Sequence, residues 1–93
     1  MSLNKNGWNG FLKLCASASK KKMLDELFGL FLTAEERESV ATRCLIVREL
    51  LAEKKPQRQI SKDLQVSIAK ITRGSNEIKE IAPAFKKFLK EKI

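Results

Sequence analysis

A chain of 93 residues that is 43% hydrophobic fits one folded domain rather than a disordered tail. Its formal net charge of +8 favours an anionic partner, most often nucleic acid, over a solvated basic surface without one. No apolar run approaches the roughly 18 residues of a membrane span, and a chain with no histidine and two distant cysteines offers neither a metal site nor an obvious catalytic base.

The first ten residues, MSLNKNGWNG, show no charged-then-apolar leader, so a cytoplasmic protein is expected. Trp8, Phe11, Leu12 and Cys15 recur at helical spacing and predict a first amphipathic helix. ASASKKK, from Ala16 to Lys22, breaks that pattern; its lysines suit a helix end, a phosphate contact or plain solvation. Met23, Leu24, Leu27, Phe28, Leu30 and Phe31 predict a short second helix, apolar enough to be buried, plausibly against another subunit. Thr33 followed by Glu36 is a capping box that opens a third helix. That helix is expected to reach about Glu53, with Val40, Cys44, Val47 and Leu51 on one stripe and Ile46 and Leu50 beside it. Cys15 and Cys44 fall at apolar-periodic positions and read as buried free thiols.

Pro56 is placed to be the first residue of a short fourth helix anchored by Ile60 and Leu64. QVS turns the chain, Ser67 caps a fifth helix from Ile68, and Pro83 opens a sixth carrying Phe85, Phe88 and Leu89. No strand-like alternation of any length and no internal repeat appears. The expected fold is all-α: one domain over 1–93, six helices, and a helix-turn-helix at about 56–80.

The fifth helix has three faces at about 100° per residue. Ile71, Gly74, Ser75 and Ile78 point inward. Ala69, Thr72 and Asn76 form a small polar outward face, and Lys70, Arg73 and Glu77 lie on the other flank. Small residues let a recognition helix approach base edges, where Ala69 and the Thr72 methyl suit thymine methyls and Asn76 suits a base or phosphate. Gln57 and Arg58, at the start of the preceding helix, suit phosphates. With Ile68 and Lys70 at the start of the fifth helix, these are the candidate DNA contacts. The run Arg73-Gly74-Ser75-Asn76 is poor helix-forming material for a segment that only supports a core.

LTAEERESVATRCLIVRELL followed by QRQISKDLQVSIAKITRGSNEIK resembles the tryptophan repressor family over roughly residues 27–89. The resemblance implies an intertwined homodimer of six-helix chains. It implies binding to palindromic double-stranded operator DNA only when L-tryptophan, the corepressor, fills a pocket beside the DNA-reading unit. Arg43 and Arg73 match the arginines that flank the indole, and Arg73 also matches the partner of the ligand carboxylate. Thr33 matches a threonine near that carboxylate. Leu30 and Leu32 match backbone carbonyls that receive the ammonium from the other subunit. Gly74 matches a glycine on which the ring packs.

Four positions depart from the family pattern. Glu77 stands where the family has a small hydroxyl, and either takes the ligand ammonium or pairs with Arg73 and closes the pocket. Lys70 replaces a threonine at the groove, Ser61 a DNA-touching lysine, and Pro56 a cap-type residue. Two other readings stay open: a ligand-independent regulator with Glu77 filling the site, and a helical dimer interaction module that binds DNA non-specifically.

Overall fold

A computed structural model describes residues 3–93. Six helices follow one another: α1 (Leu3–Ser17), α2 (Lys21–Phe31), α3 (Ala34–Ala52), α4 (Gln57–Leu64), α5 (Ile68–Glu80) and α6 (Pro83–Lys92). No strand occurs among the described residues. The chain divides into two compact units, Met1–Glu38 and Ser39–Ile93, with the boundary inside α3.

In the first unit, Phe11 of α1 lies 5.9 Å from the Phe28 ring and 5.3 Å from the Phe31 ring of α2. Trp8 extends the cluster, 5.7 Å from Phe11. Such ring pairs add about 0.5–1.5 kcal/mol each beyond their area burial. The α2–α3 corner is held by the predicted capping box: Glu36 N–H donates to Thr33 Oγ1 at 3.1 Å and Thr33 N–H to Glu36 Oε1 at 2.8 Å. Arg37 closes the corner by pairing with Asp25 at 2.8 Å.

The second unit is centred on Ile46 of α3, Ile60 of α4 and Ile71 of α5, with Leu50, Leu64 and Val66 packed around them. Ile60 and Ile71 are fully buried. The turn between α4 and α5 is a helix cap built without glycine. Gln65 takes a left-handed φ of 56°, its N–H reaches the Lys62 carbonyl, and Val66 N–H reaches the Ser61 carbonyl at 3.1 Å. The Ser61 hydroxyl donates to the Val66 carbonyl and ties the turn from its other side.

Several expectations are corrected. On α3 the buried side chains are Ile46 and Leu51, whereas Val40 and Cys44 of the predicted stripe are exposed. The reason is that α4 and α5 pack against Ile46 and Leu50, and so cover the neighbouring face. Cys44 is therefore an exposed thiol and Cys15 a half-buried one; both are free. Pro56 is the N-cap of α4 rather than its first residue, because its ψ of 158° is extended. Its carbonyl accepts the first helical bonds, from Gln59 and Ile60. No residue of α2 is buried within this chain: Leu30 is 79% and Phe31 50% exposed.

Candidate functional site

The recognition helix begins where the sequence places it. Ser67 is extended, and its hydroxyl accepts the Lys70 N–H at 3.3 Å. From that cap the three faces separate as the helical period requires. Ile71 is buried, Gly74, Ser75 and Ile78 are half-buried, and Ala69, Lys70, Thr72, Arg73, Asn76 and Glu77 are exposed. Ile68, on the first turn, is also exposed.

α4 and α5 are joined on their outer side as well as through the core. The Thr72 hydroxyl donates to Gln57 Oε1 at 3.0 Å, across 15 residues of chain. This bond occupies the carboxamide oxygen and leaves the Gln57 amide hydrogens as donors beside Thr72. Donors at a helix start suit phosphate oxygens. Arg58, one residue on, is exposed.

Gly74 has a structural role independent of any ligand. A Cβ at that position would lie 3.1 Å from Ile46 Cγ2 and 3.4 Å from Leu50 Cδ1. α5 thus crosses α3 closely where no side chain intervenes, which offsets the roughly 1 kcal/mol that glycine costs a helix. Its neighbour Arg73 is exposed, as is Arg43 on α3. Within this unit neither guanidinium pairs with Glu77 or Glu80.

Leu30, Leu32 and Thr33 belong to the first unit. The Leu30 carbonyl is among the last four of α2, which have no donor within the helix and carry its negative dipole end. Leu32 is half-buried and its N–H is taken by the Phe28 carbonyl at 2.8 Å. The capping box already uses Thr33 Oγ1 as an acceptor, which leaves its hydroxyl hydrogen to donate.

Two features escaped the sequence reading. Ser61 braces the helix-turn-helix corner. Lys55, in the α3–α4 linker, meets Asp63 Oδ2 at 2.8 Å and Glu49 Oε2 at 3.4 Å. Gln59 Nε2 holds the other Asp63 oxygen at 2.7 Å. The Asp63–Lys55 hydrogen bond is the leading cause that lowers the Asp63 pKa and raises that of Lys55; Gln59 and Glu49 respectively add to these shifts. Only the Gln59–Asp63 contact has a local signal, a spacing of four residues on one helix face, and it was not read.

Among the described residues no group of three or more histidine, cysteine or acidic side chains could hold a metal ion. No helix is long and apolar enough to cross a membrane.

Residues 6–93 match the family described as Trp repressor protein. A Trp operon repressor homolog of Chlamydia caviae is 54% identical over 87 residues, covering 94% of this chain and 86% of that protein. One from Chlamydia trachomatis serovar D is 49% identical over 88 residues, covering 95% and 94%. One from Haemophilus influenzae strain PittEE is 40% identical over 93 residues, covering 100% and 92%.

Proposed function

The chain belongs to the Trp repressor protein family, and on that premise we propose that it represses transcription by binding a palindromic operator as a homodimer with L-tryptophan bound. The family is one of transcriptional regulators and not of enzymes. The observation that carries the reading is the exposed Ala69–Thr72–Asn76 face of α5, with Thr72 tied to Gln57. In the major groove Ala69 and Thr72 meet thymine methyls, Ile68 adds an apolar contact, and Asn76 reaches a base or phosphate. Gln57, Arg58 and Lys70 hold phosphates, which fix register without reading sequence. The protein acts in the cytoplasm.

For the ligand, Arg43 and Arg73 stack on the indole faces, and Arg73 also pairs with the carboxylate. Thr33 donates to that carboxylate, Leu30 and Leu32 of the partner subunit offer carbonyls to the ammonium, and Gly74 presents backbone to the ring. Two exposed guanidiniums fit an aromatic ligand that carries a carboxylate. Glu77 is exposed four residues after Arg73, where it either takes the ligand ammonium or pairs with Arg73 and makes the regulator ligand-independent.

A corepressor shifts an equilibrium only through differential affinity, and the coupling is reciprocal. Calorimetric titration with L-tryptophan is therefore expected to show tighter binding in the presence of a palindromic duplex selected by the protein. Equal affinity with and without the duplex would sink the proposal. The two faces separate by mutation. Thr72→Ala is predicted to weaken duplex binding by roughly five- to thirtyfold, the value of about one lost base contact, and to spare tryptophan binding. Arg73→Ala is predicted to weaken tryptophan binding first and duplex binding through it.

A further inference from the structure

We infer that Lys55 is a positioning residue: its ammonium, shared between Glu49 of α3 and Asp63 of α4, sets the seat of the α4–α5 unit on the end of the core helix. The inference rests on reading α4–α5 as the DNA-contacting unit.

Three observations support it. The first is place. Lys55 lies in the short linker where the chain reverses, between Glu53 at a left-handed φ of 53° and Pro56 with φ fixed near −70°. Pro56 restricts one end of this linker, and from it Lys55 reaches an acidic side chain of each helix.

The second is the contrast with the remaining contacts. α4–α5 otherwise meets α3 through Ile46 and Leu50 against Gly74, Ile60 and Ile71. Apolar contacts are non-directional, and the close approach at Gly74 sets the spacing of α5 from α3 rather than its rotation on that helix. The Lys55 bonds are charge-assisted and directional, so they select one orientation from those the apolar seat tolerates. Among the described residues, the Lys55 pairs are the only ion pairs of this unit.

The third is completeness. Both Asp63 oxygens are used, one by Lys55 and one by Gln59, which fixes the carboxylate on α4 before it meets the ammonium. The group is solvent-exposed, so it biases the seat without locking it. A recognition helix must be held within roughly 0.5 Å and 10–20° of its working geometry, so even a modest bias decides how much protein is competent to bind.

The test uses full-length wild type, Lys55→Met, Lys55→Arg and Asp63→Asn. Amide hydrogen exchange is followed across 57–80, and binding is measured to the palindromic duplex that the wild type selects from random sequence. Lys55→Met and Asp63→Asn are each expected to speed exchange in α4 and α5 and to weaken duplex binding roughly two- to fivefold, the range an exposed pair implies. Lys55→Arg is expected to restore both. Asp63→Asn discriminates, because it makes the protein more positive: if Lys55 served only as a charge for phosphates, this variant would bind as well as wild type or better, and the inference would fall. Unchanged exchange in both Lys55→Met and Asp63→Asn overturns it too. If the wild type selects no duplex, the DNA reading fails instead, and exchange still decides the role of Lys55.

Discussion

Two residues show how local conformation and close packing decide a side chain's worth here. Gly74 faces Ile46 at a distance that a Cβ could not occupy without displacement. Ile46 is β-branched and 3% exposed, so it has little room to yield. Gly74→Ala therefore gains about 1 kcal/mol of helix propensity but incurs an overpacking cost of about 1–3 kcal/mol. A net loss near 1 kcal/mol is expected in urea unfolding; a gain would show that Ile46 gives way. Gln65 presents the opposite case. It holds a left-handed conformation that disfavours every residue with a Cβ, by about 1–2 kcal/mol. Gln65→Gly is expected to stabilise the protein by about 1 kcal/mol, since the cap bonds of Gln65 and Val66 are made by backbone and survive the change. A destabilised Gln65→Gly variant would mean that the Gln65 side chain matters to the turn.

At the level of elements, the helix starts were legible because their signals are local. Thr33 with Glu36, Ser67, and Pro83 each act within four residues, and each does what the sequence implies. The α5 faces were legible for the same reason, since one period governs Ile71 inside and Thr72 outside. What α3 buries was legible only in part: Leu51 lay on the expected stripe and Ile46 and Leu50 beside it, but Val40 and Cys44 are exposed. Val40, Cys44, Ile46 and Leu50 are all suitable, and only the arrival of α4–α5 selects Ile46 and Leu50. The Gly74 signal was seen but assigned to the ligand alone, because the close approach of α3 leaves no mark on α5 beyond the glycine itself. Lys55 and Asp63 lie eight residues apart across a turn, where no periodicity links them. Their link has a pH signature. The folded-state pKa of Asp63 is lowered from 3.8, chiefly by Lys55. Its contribution is therefore present above the unfolded value and lost as pH falls through the folded one. Lys55, raised from 10.5 chiefly by Asp63, keeps its contribution below that value and loses it as pH rises through the folded one. The stability difference between wild type and Asp63→Asn is thus expected to be flat through the neutral range and to shrink in acid below the ordinary aspartate pKa. It should also shrink with added salt, since the groups are exposed. A difference that persisted in strong acid would show that Asp63 acts through something other than its charge.

For the whole molecule, the decisive quantity is apolar surface that one chain leaves in water. Trp8 is 60%, Leu30 79%, Val40 51% and Phe88 52% exposed, spread over helices from both units. A 93-residue chain buries a modest fraction of its surface and is marginal alone, and dimerisation is one common remedy. On the proposed operator reading a second copy is the partner to test, because two-fold protein symmetry would match the two-fold symmetry of a palindrome. If folding and dimerisation are coupled, the unfolding midpoint must rise with protein concentration by mass action. Phe88→Glu places a charge where the partner subunit would have to bury it, and is expected to yield monomers in sedimentation. The same variant should bind a full palindrome with roughly 10²–10⁴-fold lower affinity, because the second half-site contact is no longer intramolecular. A concentration-independent midpoint together with a single-chain mass would rule the dimer out. Operator recognition would then have to come from one α5 helix, which reads too few base pairs to select a site.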